Sequence, residues 1–116
     1  MKAITFKTLP EYFEFFEKIP RHKWTTGDLK DKCGCRCAMG HLNYFDIKNA
    51  YVKIKNTPLG KMAKAIKSEV WKINDGYEAI LNCKELGQHP QDRILNAIIL
   101  HESGILKALN KGASNE

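Results

Sequence analysis

Proline punctuates this chain and thereby limits what it can build. Pro10, Pro20, Pro58 and Pro90 stand where a helix starts or must stop, because proline lacks a backbone N–H and its ring crowds the preceding turn. Thr8, Pro10 and Glu11 combine a threonine cap, a first-turn proline and a Thr-x-x-Glu box, predicting a helix over 8–19. Leu9, Tyr12, Phe13, Phe16 and Ile19 supply its apolar face, and Pro20 ends it. Thr57-Pro58 is an equally definite start. Leu59, Met62, Ala63, Ile66 and Val70 line one face of the segment it opens, with Lys61, Lys64 and Lys67 on a polar strip. Asn74-Asp75-Gly76 reads as a turn or helix stop. A further helix runs from about Tyr77 to Leu86 and closes at Gly87. Pro90 opens the last long helix. Its Ile94, Leu95, Ala97, Ile98, Ile99 and Leu100 leave almost no polar face, which marks a central, buried element. Ser103-Gly104 breaks it before a short tail helix carrying Leu106 and Leu109, and residues 111–116 are expected to fray.

The remaining segments are less regular. Residues 20–35 contain Gly27 and Gly34 and read as a loop. A second helix is expected from near Arg36 to about Phe45, with Cys37, Ala38, Leu42 and Phe45 as its apolar residues. Gly40 inside it costs about 1 kcal/mol relative to alanine, so another backbone is expected to approach there. In residues 49–56, Val52 and Ile54 alternate with Lys53 and Lys55, favouring a short strand over the competing helical extension. The sum is a mainly α, compact single domain over residues 1–116. It has about four to six helices, with room for one short β-hairpin.

With 43% hydrophobic and 28% charged residues, the chain has the composition of a soluble globule. No apolar run reaches the ~20 residues of a membrane span, and Met1–Lys7 lacks the apolar stretch of a signal peptide. These features predict a cytoplasmic protein with reduced thiols and no membrane partner. The net charge of +6 is concentrated in residues 48–72, where seven lysines face one acid, Glu69. An acidic protein or a nucleic acid is the expected partner of such a surface. Lys53, Lys55, Lys61, Lys64 and Lys67 are the candidate nucleic-acid contacts, although no RNP sequence, paired zinc-finger spacing or helix-turn-helix accompanies them. Phe13, Phe15 and Phe16 read as core, with Phe15 off the main face.

Cys33, Cys35, Cys37 and His41 fall within nine residues. Three sulfurs and one imidazole make a Cys3His set, so zinc is the one cofactor this chain suggests. The spacing argues against it, since structural zinc ligands come as two separated pairs. Cys83 and His89 form a remote alternative pair. A thiol–base reading would pair Cys37 with His41, oriented by Asn74 or Asp75. The plainer alternative makes Cys37 a small buried side chain. No complete catalytic set is present, and no residue is assigned a catalytic role.

Trp24-Thr25-Thr26-Gly27, then Cys37-Ala38-Met39-Gly40-His41-Leu42, then Ile73-Asn74-Asp75 resembles a pattern in small, mostly uncharacterised proteins of bacteria and their phages. That pattern is W-x-x-G, C-x-x-G-x-L and a late N-D followed by a helix, and it spans roughly residues 24–100 here. The resemblance carries no activity. It implies that Trp24, Gly27, Cys37, Gly40, Leu42, Asn74 and Asp75 form one unit, with Cys33 and Cys35 outside it. In such a unit Trp24 would cover the second helix, with Gly40 giving its ring room. Asn74 and Asp75 would bond backbone groups of the 20–35 loop. The expected function is a small binding or accessory protein that contacts a macromolecule, of the kind carried by phages or mobile elements.

Overall fold

The computed structural model describes residues 2–77 and 83–104. Their regular structure is six α-helices and two 3-10 turns. The helices are α1 (Leu9–Glu17), α2 (Ala38–His41), α3 (Ile47–Lys55), α4 (Pro58–Ala65), α5 (Val70–Asp75) and α6 (Pro90–Glu102). The turns are Arg21–Lys23 and Cys83–Leu86. Among the described residues there is no strand, only isolated bridges from Arg36 to Trp24 and Lys30. Of the helix expected over 77–86, residues 83–86 form the second 3-10 turn and 78–82 lie outside the described residues, as do the tail helix at Leu106 and Leu109 and the frayed end at 111–116.

The proline-marked helices begin where the sequence places them, with differences at the caps. Thr8 does not cap a backbone amide; its hydroxyl donates to Glu11 Oε1 at 2.9 Å. Thr57 does cap, accepting from Gly60 N at 3.2 Å while donating to Ile54 O at 2.7 Å. That hydroxyl therefore serves the end of α3 and the start of α4 at once. Phe15 packs beside Phe6 and Phe16, with ring centroids 5.6 and 5.5 Å away.

Residues 49–56 are helical, which corrects the strand expectation. Ala50 and Ile54, one turn apart, are both buried, and Val52 is 63% exposed. A short strand needs a partner edge, and α3 instead packs against α4. The second helix is shorter than 36–45. Arg36 bridges to Trp24 in extended conformation, and Asn43 turns the chain at φ +65°.

The face from Leu59 to Val70 is likewise not one helix. At the end of α4, Lys67 N donates to Lys64 O and Ser68 N to Ala63 O, both at 2.9 Å, with Lys67 at φ +54°. This is a Schellman closure with lysine where glycine is usual. The same closure ends α5 with Gly76 at φ +74°: Gly76 N bonds Ile73 O and Tyr77 N bonds Lys72 O.

Helix α6 is central, touching α1, α2, α4 and α5. Ile94, Ala97 and Ile98 are buried, but Ile99 is half exposed, so the helix does have an outward face. Its inward face includes two polar side chains. Gln91 Nε2 donates to Phe16 O and Ile19 O at the end of α1. Arg93 donates twice to Asn74 O, at 3.0 and 2.7 Å, and once to Gly87 O at 3.1 Å. Both satisfy carbonyls that a helix end or turn leaves open.

Candidate functional site

The 24–27, 37–40 and 74–75 stretches of the W-x-x-G, C-x-x-G-x-L and N-D pattern are joined where the 24–36 loop crosses α2 and α5. Asn74, fully buried, is the hub. Its Oδ1 accepts from Ala38 N at 3.0 Å and so caps α2 from another element. Its Nδ2 donates to Thr25 O at 3.1 Å and to Asp75 Oδ1 at 2.8 Å. Asp75 Oδ1 also accepts from Gly27 N at 3.2 Å. The loop backbone is thus tied to α5 by one amide and one carboxylate.

Gly40 makes room for backbone rather than for the Trp24 ring. A Cβ at Gly40 would run into the Leu29 carbonyl, with Arg36 Cβ next nearest at 3.1 Å. Trp24 packs instead between Phe16, 5.5 Å between centroids, and His41, at 4.8 Å. Leu42 is buried in the core.

The sulfurs are dispersed. Cys33 is exposed, Cys35 half-buried and Cys37 buried. Asp31, which sequence reasoning missed, organises the first two by accepting from Cys33 N and Cys35 N at 2.9 Å each. Burial opposes its charge, but these amides and the Thr25 hydroxyl hold the carboxyl below its ordinary range. Asp31 lies two residues before Cys33, the position from which an aspartate closes such a turn. Cys35 Sγ donates to His22 O at 3.2 Å. Burial pushes the Cys37 thiol up, and the Asp75 charge adds to this against the Met39 and Gly40 amides. The protonated thiol is the inert form. His41 is driven down to about 4, chiefly by burial, with Arg36 adding repulsion while the Lys23 and Arg36 carbonyls favour its proton. Among the described residues its Nε2 has no hydrogen-bond partner. Among the described residues no group of three or more His, Cys, Asp or Glu side chains is disposed around a metal position. Cys83 is buried, while His89 accepts from Gln91 N at 3.1 Å and caps α6.

Two adjoining concavities open on the face beyond this unit. One, of about 400 Å³, is lined by Asp28, Lys30, Cys37, Phe45 and Asp75 together with Tyr51 and Trp71. The other, of about 470 Å³, lies between α3, α4 and α5. Met39, Ile54 and Val70 contribute apolar surface to it, Tyr51, Val52 and Trp71 wall it, and Lys55 and Lys64 stand at its edge. Tyr51 and Trp71 line both and connect them. Tyr51, Val52 and Tyr77 are exposed, and Tyr77 packs on Trp71 with centroids 5.0 Å apart.

The lysines expected to act together are spread around the molecule. Lys55 and Lys64 line the larger concavity, Lys53 a separate one with Asp46 and Asn49, and Lys61 another beside Lys7 and His101. Lys67 sits at the α4 closure. Tyr51 and Trp71 were not singled out from sequence, since a strand over 49–56 puts Tyr51 in the wrong register. Comparison with protein-family models, with characterised proteins and with solved structures found no match.

Proposed function

We propose that this is a small binding protein that contacts a macromolecular partner through the face built by α3, α4 and α5. The observation that carries the reading is the groove there. It joins an apolar lining to Tyr51 and Val52, both exposed on a helix that also presents Asn49, Lys53 and Lys55. Exposed apolar side chains clustered beside a concavity mark contact sites more often than chance surface. In this reading the Asn74–Asp75 unit is a scaffold. It fixes the start of α2 and the end of α5, and so sets the position of Trp71. An accessory role of the phage or mobile-element kind is part of this proposal and rests on the W-x-x-G, C-x-x-G-x-L and N-D pattern alone.

Site-specific photocrosslinking tests the proposal. A photoreactive phenylalanine analogue replaces Val52 in the groove or, as control, Glu14 on the exposed side of α1. In living cells the first is expected to give discrete adducts and the second none. Equal labelling from both positions would discard the groove as the contact surface. Turnover of a substrate panel that disappears in Cys37→Ala would replace a binding role with catalysis.

A further inference from the structure

The groove's chemistry narrows its occupant, given the contact surface proposed above. We infer that it takes an acidic protein segment that inserts an apolar anchor side chain. Three observations point the same way. First, the lining contributed by Met39, Ile54 and Val70 is aliphatic or thioether, and all three are buried. Such a surface receives a leucine- or phenylalanine-sized side chain, and the polar residues of the same lining are Asn56, Ser68, Glu69 and the two lysines. Second, the charges at the edge are cationic and uncommitted. Among the described residues Lys55 and Lys64 have no ion pair, and the acid in the groove's lining, Glu69, is already engaged. Its Oε2 accepts from Trp71 Nε1 at 3.2 Å and lies 3.6 Å from Lys72 Nζ. Acidic residues flanking the anchor would therefore meet free ammonium groups.

Third, the surface is poorly arranged for single-stranded nucleic acid, which needs open aromatic faces beside a continuous cationic track. The Trp71 ring is occupied by Tyr77 at 5.0 Å and by the Lys72 ammonium at 5.5 Å from its centroid. Lys61 and Lys67 do not line the groove, so the track is broken, and Glu69 adds an acid to the lining.

The test uses the intact chain, displayed peptides of about a dozen random residues and oligothymidylate as the nucleic-acid probe. Val52→Asp puts a carboxylate at the mouth, and Lys55→Glu with Lys64→Glu reverses the edge. All three positions are exposed, so thermal unfolding should match the wild type and serve as the folding control. Selection on the wild type is expected to return peptides combining Leu, Ile, Phe or Trp with flanking Asp and Glu. Val52→Asp should weaken the best of them by about tenfold or more, and the reversed edge should select Lys- and Arg-flanked anchors. Anchored peptides lost in Val52→Asp but without acidic bias would overturn the charge chemistry and leave the contact surface standing. Peptides indifferent to Val52→Asp would overturn both. Groove-dependent binding of oligothymidylate in preference to every peptide would make the partner a nucleic acid. A selection that returns no peptide, or self-association blocked by Val52→Asp, would likewise overturn the proposal.

Discussion

Asn74 is a residue whose identity can be derived from its surroundings. Its oxygen meets an amide hydrogen of α2 while its nitrogen meets a carbonyl and a carboxylate oxygen. Only a side-chain amide offers an acceptor and two donors on so short a stem. Asn74→Ala leaves buried groups unpaired on both sides. It is expected to cost about 2–4 kcal/mol, read as a lower denaturant midpoint at unchanged slope. Asn74→Asp keeps the acceptor but places a second carboxylate against Asp75, so it should not restore the loss. His41 offers a pH signature. Its folded pKa of about 4 lies below the ordinary 6.5. Between these values the unfolded chain takes up a proton that the folded chain refuses. Stability is therefore fully present above pH 6.5 and declines as pH falls toward 4. His89, lowered chiefly by burial, acts in the same direction. His41→Gln should flatten the curve in part, measured as unfolding free energy against pH in metal-free protein.

At the scale of elements, two closures of the same geometry separate what the sequence discloses from what it hides. The end of α5 is legible because Gly76 occupies its left-handed position. The end of α4 is not, because Lys67 occupies the equivalent one and continues the polar strip of Lys61 and Lys64. Lys67→Gly should relieve the left-handed penalty, offset in part by greater freedom of the unfolded chain. A gain of about 0.5–1 kcal/mol is expected, and a lower melting temperature would refute the assignment of strain. The same limit explains α3. Val52 and Ile54 alternate with lysines, yet Ala50 and Ile54 also satisfy a helical period, and eight residues do not separate the two patterns. The Cys33–Cys37 segment was read from its sulfurs, whereas its shape follows from Asp31 and from bonds between Arg36 and its neighbours Lys23 and Thr25. With Cys35 bonded to a carbonyl and Cys37 protonated, chain purified without added metal should hold less than about 0.2 equivalents by elemental analysis.

For the whole molecule, the apolar periodicity of α6 made its burial legible, but its architectural role rests on polar residues. Gln91 and Arg93 reach the carbonyl ends of α1 and α5, and nothing local in Pro-Gln-Asp-Arg reveals that partnership. Burial lowers the Arg93 pKa while the nearby Asp75 charge supports the cation. Arg93→Met keeps the bulk but strands the Asn74 and Gly87 carbonyls. It should cost about 1–3 kcal/mol, seen in chemical denaturation as a destabilised but still single transition. The three short motifs are joined by hydrogen bonds, but the groove is not legible in them, because it depends on how α3, α4 and α5 turn relative to one another. The capping by α6 also has a temporal consequence. During synthesis α1 and α5 leave the ribosomal exit tunnel ahead of α6, so these carbonyls lack Gln91 and Arg93 until α6 follows. A nascent chain halted before Pro90 should therefore remain open to protease, and protection should arrive abruptly once α6 has cleared the exit tunnel.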